Sequence, residues 1–435
     1  MPSSCDAMHV RCDLDDIEGG LAMQEVQGNF NSAKIFTSVV DDKSIEQIRT
    51  LCDQTFVKGS KIRMMPDVHA GAGCTIGTTM TITDKVVPNL VGVDIGCGML
   101  TTMIDAKSVD FDALDKVIRD HIPFGFAVRD KRHAFSYDID LNELKCFRHI
   151  NELRAILAIG SLGGGNHFIE IDKDDEGNLY LVIHSGSRYL GLQAANYYQN
   201  LAWLALNHNS QNDIAELIER MKSEKKQKGI QKEIEKRKKT FTCEIPKELV
   251  YVEGDNFNDY IHDMRIIQQY ADLNRKAMAS LIMRLMKWMP KESFTTIHNY
   301  IDVDNMILRK GAVSAKKDET LLIPMNMRDG SLICKGLGNA DWNESAPHGA
   351  GRILSRTQAK HDLKIEDFKQ SMEGIYTTTV NMDTIDEAPM VYKSMNDIID
   401  NIQPTVDIMK VIKPIYNFKA PGDDKPWQKN RQSGV

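Results

Sequence analysis

The amino-acid sequence predicts an α+β fold. Three observations carry this reading: β-type runs broken by glycine over residues 61–104, strand-like segments again over 294–335, and a long amphipathic helical stretch over 259–289. The chain has 435 residues, 42% hydrophobic and 26% charged, which exceeds one ordinary domain. Two cores, or one large α+β core with insertions, both fit that length. The sequence carries no internal repeat and no interdomain linker of convincing length.

In chain order, "KIFTSVV" (34–40) reads as a strand, and "DKSIEQIRTLCDQ" (42–54) has helical period with Asp42 as cap candidate. Strands follow in "IRMMPDVHAGAGCTIGTTMTI" (62–82) and around "VGVDIGCGML" (91–100). "SVDFDALDKVIRDHI" (108–122) is a helix opened by Ser108 or Asp110, and a further helix is expected over 141–159, running into the glycine cluster 160–165. "LYLVIH" (179–184) alternates poorly, as a strand buried on both faces does. Helices are expected from about 190 to 239. Within them 221–239, "MKSEKKQKGIQKEIEKRKK", is strongly basic: a solvated arm or loop, with an RNA-facing electrostatic arm as the alternative. The last helical region is expected over 393–410. The tail 420–435, polar and containing Pro and Gly, is expected to be disordered.

A formal net charge of −7, from 54 Lys+Arg against 61 Asp+Glu, argues against a surface coated in basic residues but leaves room for a local basic groove. The amino-terminal "MPSSCDAMHVRCDLDD" has no apolar stretch of signal-peptide length, and no run approaches the roughly 18 apolar residues of a membrane helix. Eight cysteines without a CxxC pair fit a reducing cytoplasm, where an isolated cysteine is a buried hydrophobe or a ligand.

Five segments share one texture, a histidine or carboxylate seated beside glycine near an apolar run: "MPDVHAGAG" (65–73), "SLGGGNHFIEI" (161–171), "LVIHSGSR" (181–188), "TIHNY" (296–300) and "APHGAGRILSR" (346–356). "VGVDIGCGML" adds Asp94 and Cys97 in the same style. Taken singly, His167, His184 and His298 fit satisfied core histidines, and Asp94 fits a loop cap. Together with Cys97, strand ends carrying these residues make a metal-ligand set. The glycines at 96 and 98 are expected to clear space around the sulfur. A thiolate with imidazoles suggests zinc or iron first, manganese being weakest in the affinity series. One sulfur can bridge two ions, and two metals a few ångströms apart fit in-line displacement at phosphorus.

"GSLGGGNH" could expose backbone N–H groups as an anion nest. Walker A and K-x-D-G motifs are absent, so lysine is not the expected nucleophile. His348 is the sharper candidate: Pro347 and Gly349 flank it, Arg352 and Arg356 follow, and a helix over 349–359 would place it at a phosphate-favouring N-terminus. Imidazole can attack phosphorus to form a phosphoramidate. A helix-capping histidine with surface arginines is the plainer alternative.

With these segments in order, the sequence resembles the RtcB family of GTP-dependent RNA ligases. The resemblance is carried by "MPDVHAGAGCTIG", "VGVDIGCGM", "GGGNHFIEI", "HSGSR", "DMRIIQQYADLNR", "HNY", "RKGAVSA", "GLGN", "HGAGRILSR" and "DEAPMVYK", from about residue 34 to 419. It implies an RtcB-type fold: one composite α+β domain of mixed sheets with surrounding helices over 30–419, preceded by a segment 1–29 and interrupted by 221–239 as a variable insertion. It also implies a reaction joining RNA 2′,3′-cyclic phosphate or 3′-phosphate ends to 5′-hydroxyl ends, with GTP and two Mn²⁺ ions, in tRNA splicing or RNA repair.

By the same resemblance, the guanylylated histidine falls on His348. The metal ligands fall on Asp94, Cys97, His167, His184 and His298, with Cys97 bridging. Asn166 matches a position at the GTP phosphates, Phe168 and Glu170 match guanosine contacts, and Tyr392 and Lys419 lie on the nucleobase side. Arg188, Asn299 and Arg352 match positions that hold phosphates or RNA ends. Two departures bear on the guanine pocket. "PMNMRDGS" (324–331) has Asn326 where the family has serine, although Ser331 is kept, and the terminal "KG" is "KA". The expected partners are RNA with broken ends and GTP, with an activating protein left open, no membrane, and a monomer as the expected state. The rival readings are a two-metal phosphohydrolase that opens cyclic phosphates without ligating, which has no need of His348, and a guanine-nucleotide-binding regulatory protein, which has no need of Cys97 and its histidines.

Overall fold

Strand-forming residues punctuated by glycine build two large sheets and two short two-stranded ones in the computed structural model, which describes residues 23–206 and 245–420. The first runs in the order Gln24–Gln27, Ser32–Ile35, Ile62–His69, Ile76–Thr81, Ile307–Lys310, Asn299–Asp302. Ser32–Ile35 and Ile62–His69 are parallel, so the chain must cross over between them, and the helix Asp42–Cys52 lies in that connection. Its cap falls one residue before the expected Asp42: Asp41 accepts from the Ser44 backbone N–H at 2.9 Å.

The second sheet runs Pro290–Ile297, Gly98–Ile104, Leu179–Ser185, Phe168–Lys173, Val406–Lys419, Gly330–Gly336, Thr320–Asn326. Leu179–Ser185 is buried along its whole length because both faces carry core. Leu179, Leu181 and Ile183 pack with Ile169, Ile171 and Ile282. On the other face, Tyr180 and Val182 pack with Met99, Phe168 and Leu322.

Eight α-helices surround the sheets among the described residues. The longest, Gly254–Met286, buries Tyr260, Met264, Ile267, Tyr270, Ala271, Asn274, Met278 and Leu281, an inward stripe at helical spacing. Lys287 ends it in the left-handed conformation at φ 60°.

Three expected helices differ. Over 141–159 the chain forms short turns, Leu141–Glu143 and Phe147–His149, and only Glu152–Ala158 is α-helical. The Asp263 carboxylate of the long helix accepts from the Lys145 and Cys146 N–H groups at 2.7 and 2.9 Å, taking donors that a continuous helix would need. Over 393–410 the helix is confined to Met395–Ile402, and Val406–Lys419 is a strand. Pro404, inside the expected stretch, is incompatible with a helix interior and ends it. Over 349–359 helix begins only at Arg356, capped by Ser355. Residues 349–355 instead run beside 391–393, where Ile353 N donates to Val391 O at 2.8 Å and Lys393 N to Gly351 O at 3.0 Å. The basic stretch 221–239, residues 1–22 and the tail beyond Ala420 lie outside the described residues.

Candidate metal centre and nucleophile pocket

Antiparallel register gathers the metal-ligand candidates at one edge of the second sheet. Gly98 pairs with Ser185 and with Ile297, and Phe168 pairs with His184. Cys97, His167, His184 and His298 therefore sit at adjoining strand ends. The turn before Cys97 closes with its N–H donating to Asp94 O at 3.1 Å, and His298 N donates to Cys97 O at 2.9 Å.

The Cys97 Sγ lies 3.3 Å from His167 Nε2 and 3.2 Å from His184 Nε2. His184 Nε2 is 3.3 Å from His298 Nε2, and His167 Nε2 is 2.9 Å from Asp94 Oδ2. These atoms form two triads, Cys97–His184–His298 and Asp94–Cys97–His167, each with its ligand atoms within 4.8 Å of one another and with Cys97 in both. His184 Nδ1 donates to Asn166 O at 3.1 Å, which leaves its Nε2 lone pair aimed at the sulfur, whereas His167 Nδ1 donates to Leu162 O at 2.8 Å and its Nε2 faces both the sulfur and Asp94 Oδ2. Asp94 Oδ1 accepts from Ser187 N at 3.1 Å.

Electrostatics agree with a cation-binding role. Burial, and then the neighbouring His348 for His298 and His298 for His184, hold both imidazoles well below the usual histidine range, so they are neutral. Burial pushes the Asp94 carboxyl up, but the bond from His167 and the charges around it win and hold it at about 2. Burial and the Asp94 charge push the Cys97 thiol well up. A cation entering this site would displace that proton. Buried neutral imidazoles, a carboxylate and a shared sulfur thus fit one or two divalent ions.

Gly96 and Gly98 serve packing rather than the sulfur. A Cβ on Gly98 would strike Thr296 O and Ile297 of the adjoining strand. One on Gly96 (φ 71°) would press on Ala271 and Gln268 of the long helix at 3.0 and 3.1 Å. That helix also grips the ligand loops. Arg275, fully buried, donates to Gly96 O at 2.7 Å and Ser185 O at 2.9 Å. Asn274 donates to Gly186 O at 3.0 Å and accepts from Gly160 N at 2.8 Å. The motif "DMRIIQQYADLNR" therefore clamps the site, a role its sequence alone did not disclose.

His348 lies at the open side of the cluster, its ring centroid 5.0 Å from that of His298. Its Nδ1 donates to Asp67 Oδ2 at 2.6 Å, and its backbone N donates to the same oxygen at 3.1 Å. Asp67 is wholly buried and spends no other side-chain bond among the described residues. This fixes the imidazole with Nε2 outward. Asp67 was missed in the sequence although "MPDVHAGAG" shows it: a carboxylate in an apolar, glycine-flanked run, as at Asp94.

The remaining candidates fall into three places. Lys419 Nζ donates to Asn166 O at 2.8 Å and pairs with Glu387 at 2.9 Å, lying 5.5 Å above the Phe168 ring. Glu387 also accepts from Arg356 at 2.6 Å, from Arg352 at 3.3 Å and from the Tyr392 hydroxyl at 2.7 Å. Burial raises the Glu387 carboxyl, but Lys419, Arg356 and Arg352 outweigh burial and hold it at about 2. Glu387 is the hub that joins Arg352, Tyr392 and Lys419, and it too was missed.

On the neighbouring strand Glu170 accepts from Asn417, and burial raises its carboxyl. Ser331 is buried with no hydroxyl partner among the described residues, whereas Asn326 is spent on a turn, accepting from Arg328 N at 3.0 Å and Asp329 N at 2.9 Å. Asn299 accepts from Gly311 N at 3.0 Å, so its side chain holds the turn at Gly311, which packs beside the His348 ring. Arg188 donates to Gly125 O at 2.9 Å and lines a cavity of about 180 Å³ with Asp94, Asn166 and His167. A larger cavity of about 300 Å³, bounded by Gln268, Tyr300, Asp302 and Lys316, contains none of the candidate ligands.

Comparison with known proteins decides the family. The model described as "tRNA-splicing ligase RtcB" matches residues 47–149 and 138–420. The chain belongs to the RtcB family. Its fold is accordingly one RtcB-type domain of mixed sheets and helices. Among curated proteins it is similar to the "RNA-splicing ligase RtcB" of Escherichia coli strain K12, 29% identical over 401 residues, covering 82% of this chain and 90% of that protein. An "RNA-splicing ligase RtcB1" from another Escherichia coli strain is 30% identical over the same coverage, and its "RNA-splicing ligase RtcB2" is 24% identical over 440 residues, covering 91% of this chain and 98% of that protein.

Proposed function

We propose that this RtcB-family protein is an RNA ligase that joins 2′,3′-cyclic phosphate or 3′-phosphate ends to 5′-hydroxyl ends through a guanylylated His348, using GTP and two Mn²⁺ ions, in tRNA splicing or RNA repair. The observation that carries the reading is the Asp67–His348 pair at 2.6 Å, set against a cluster of ligand atoms around Cys97. Divalent ions bound by Asp94, Cys97, His167, His184 and His298 would neutralise phosphate oxygens. The donor set by itself suits zinc or iron as well, and the assignment of manganese rests on the family resemblance.

The chain's own groups account for the rest. His348 Nε2 attacks the α-phosphorus of GTP, a P–N bond forms, and pyrophosphate leaves. Asp67 retains the Nδ1 proton and offsets the positive charge that develops on the ring. Glu170 and Asn417 offer polar atoms to the base, while Lys419 and Arg352 supply positive charge beside it. A cyclic end is opened by water, the RNA 3′-phosphate displaces His348 from the guanylate, and the 5′-hydroxyl then expels GMP. A cytoplasmic monomer is part of the proposal; the five described cysteines are buried and free, as expected of a reducing compartment.

Incubation with α-labelled GTP and Mn²⁺ tests this: acid-labile label is expected on the wild type and not on His348→Ala. No label on the wild type, or label surviving in the variant, overturns the mechanism. A protein that hydrolyses cyclic phosphates without taking up label is the phosphohydrolase instead. Sealing by the purified chain alone decides whether an activating protein is required.

A further inference from the structure

The cavity beside Asp94 has a wall that the phosphate chemistry does not use. Phe126, Tyr189 and Val93 border it and are 60%, 40% and 47% exposed, although each is apolar and next to a charged site. Solvent-facing aromatics lining the same cavity as Asp94, His167 and Arg188 indicate a ligand with a charged group and a flat apolar face. Arg154 links the two residues: its guanidinium lies 5.2 Å over the Tyr189 ring and donates to the Phe126 backbone O at 2.7 Å. The Tyr189 ring and the Phe126 backbone are thus held, which lowers the entropy lost when something stacks there.

Position identifies the occupant. His348 stands against His298, so guanylate occupies that flank of the cluster. The cavity lies against the other triad, where Asp94 and His167 line it together with Arg188. A phosphate that accepts GMP from His348 lies between the flanks, and the nucleoside attached to it points into the cavity. Resting on the ligase reading above, we propose that Phe126 and Tyr189 form a stacking platform for the terminal base of the RNA strand that ends in the 3′-phosphate. Stacking accepts any base, so the platform would bind ends of varied sequence.

The test uses the full chain with GTP, Mn²⁺ and pairs of synthetic RNA strands. Phe126→Ala and Tyr189→Ala are each expected to raise KM for the 3′-phosphate strand about 5- to 100-fold. Label uptake from GTP without RNA is expected to match the wild type. Tyr189→Phe, which keeps the ring, is expected to restore the wild-type KM. A strand whose 3′-terminal nucleotide is abasic should impose the same penalty on the wild type and almost none beyond it on the variants. Unchanged KM in both alanine variants overturns the platform, as does a penalty that disappears only when the first nucleotide of the 5′-hydroxyl strand is abasic. Failure of the wild type to take up label is a separate result, which removes the ligase reading itself.

Discussion

Replacing Asp67 by Asn keeps shape and burial but removes the charge that holds His348. In the wild type one carboxylate oxygen accepts from both Nδ1, at 2.6 Å, and the His348 backbone N, at 3.1 Å. A buried hydrogen bond to a charged group contributes about 1.5–3 kcal/mol. At about 1.4 kcal/mol per decade, its loss alone predicts a guanylylation rate roughly 10- to 150-fold lower. An asparagine amide that donates to Nδ1 would add to this by moving the ring proton to Nε2, where it blocks attack. The assay is single-turnover uptake of labelled GMP at saturating GTP, with thermal melting to confirm folding and KM for RNA as a control. A folded Asp67→Asn protein labelled within about threefold of the wild-type rate, well short of the decade worked above, would refute the claim that this pair orients the nucleophile.

Two other perturbations test separate parts of the site. Cys97→Ala should lose metal at both triads and Asp94→Ala chiefly at one, read by elemental analysis of the purified proteins; equal losses would contradict a shared sulfur. Glu387 is held at about 2, below its unfolded value of about 4.3, so its contribution is complete above that value and is lost as pH falls through 2. The shift of about two units corresponds to about 3 kcal/mol. Urea unfolding of the wild type should weaken between pH 4.5 and 2 by more than Glu387→Gln does, and the variant should be about 3–5 kcal/mol less stable at neutral pH because three buried or half-buried cations lose their common anion. Parallel pH profiles for the two proteins would count against the hub.

How far the sequence discloses this site depends on whether its signals are local. Asp94, Cys97 and the histidines were legible because each interrupts an apolar run beside glycine, and strand ends are where such residues can meet. Asp67 carries the same signal, but its partner His348 lies 281 positions away, so the sequence does not say what the carboxylate serves. The 141–159 region was misread because the residue that decides it, Asp263, lies over a hundred positions away. The strand Val406–Lys419 was half legible: Pro404 forbids a helix running through into it, while the apolar spacing before that proline suited one. Glu387 was invisible for a different reason. Its role consists of Arg352, Arg356 and Lys419 converging from distant segments, and no spacing rule encodes that. The purpose of Gly96 and Gly98 likewise depended on what stood opposite their missing side chains.

The strand Val406–Lys419 bridges Phe168–Lys173 and Gly330–Gly336 inside the second sheet. It is also the last described element to be synthesised. Until it emerges, the sheet exists as two separate halves with two open strand edges, and Lys419 has yet to meet Asn166 and Glu387. The metal-ligand half is complete some hundred residues earlier, once His298 has joined Cys97. On the proposed ligase reading, a nascent chain would be able to take up metal before it could take up nucleotide. Stalling or proteolysis between the two stages would leave a protein that holds metal but not nucleotide.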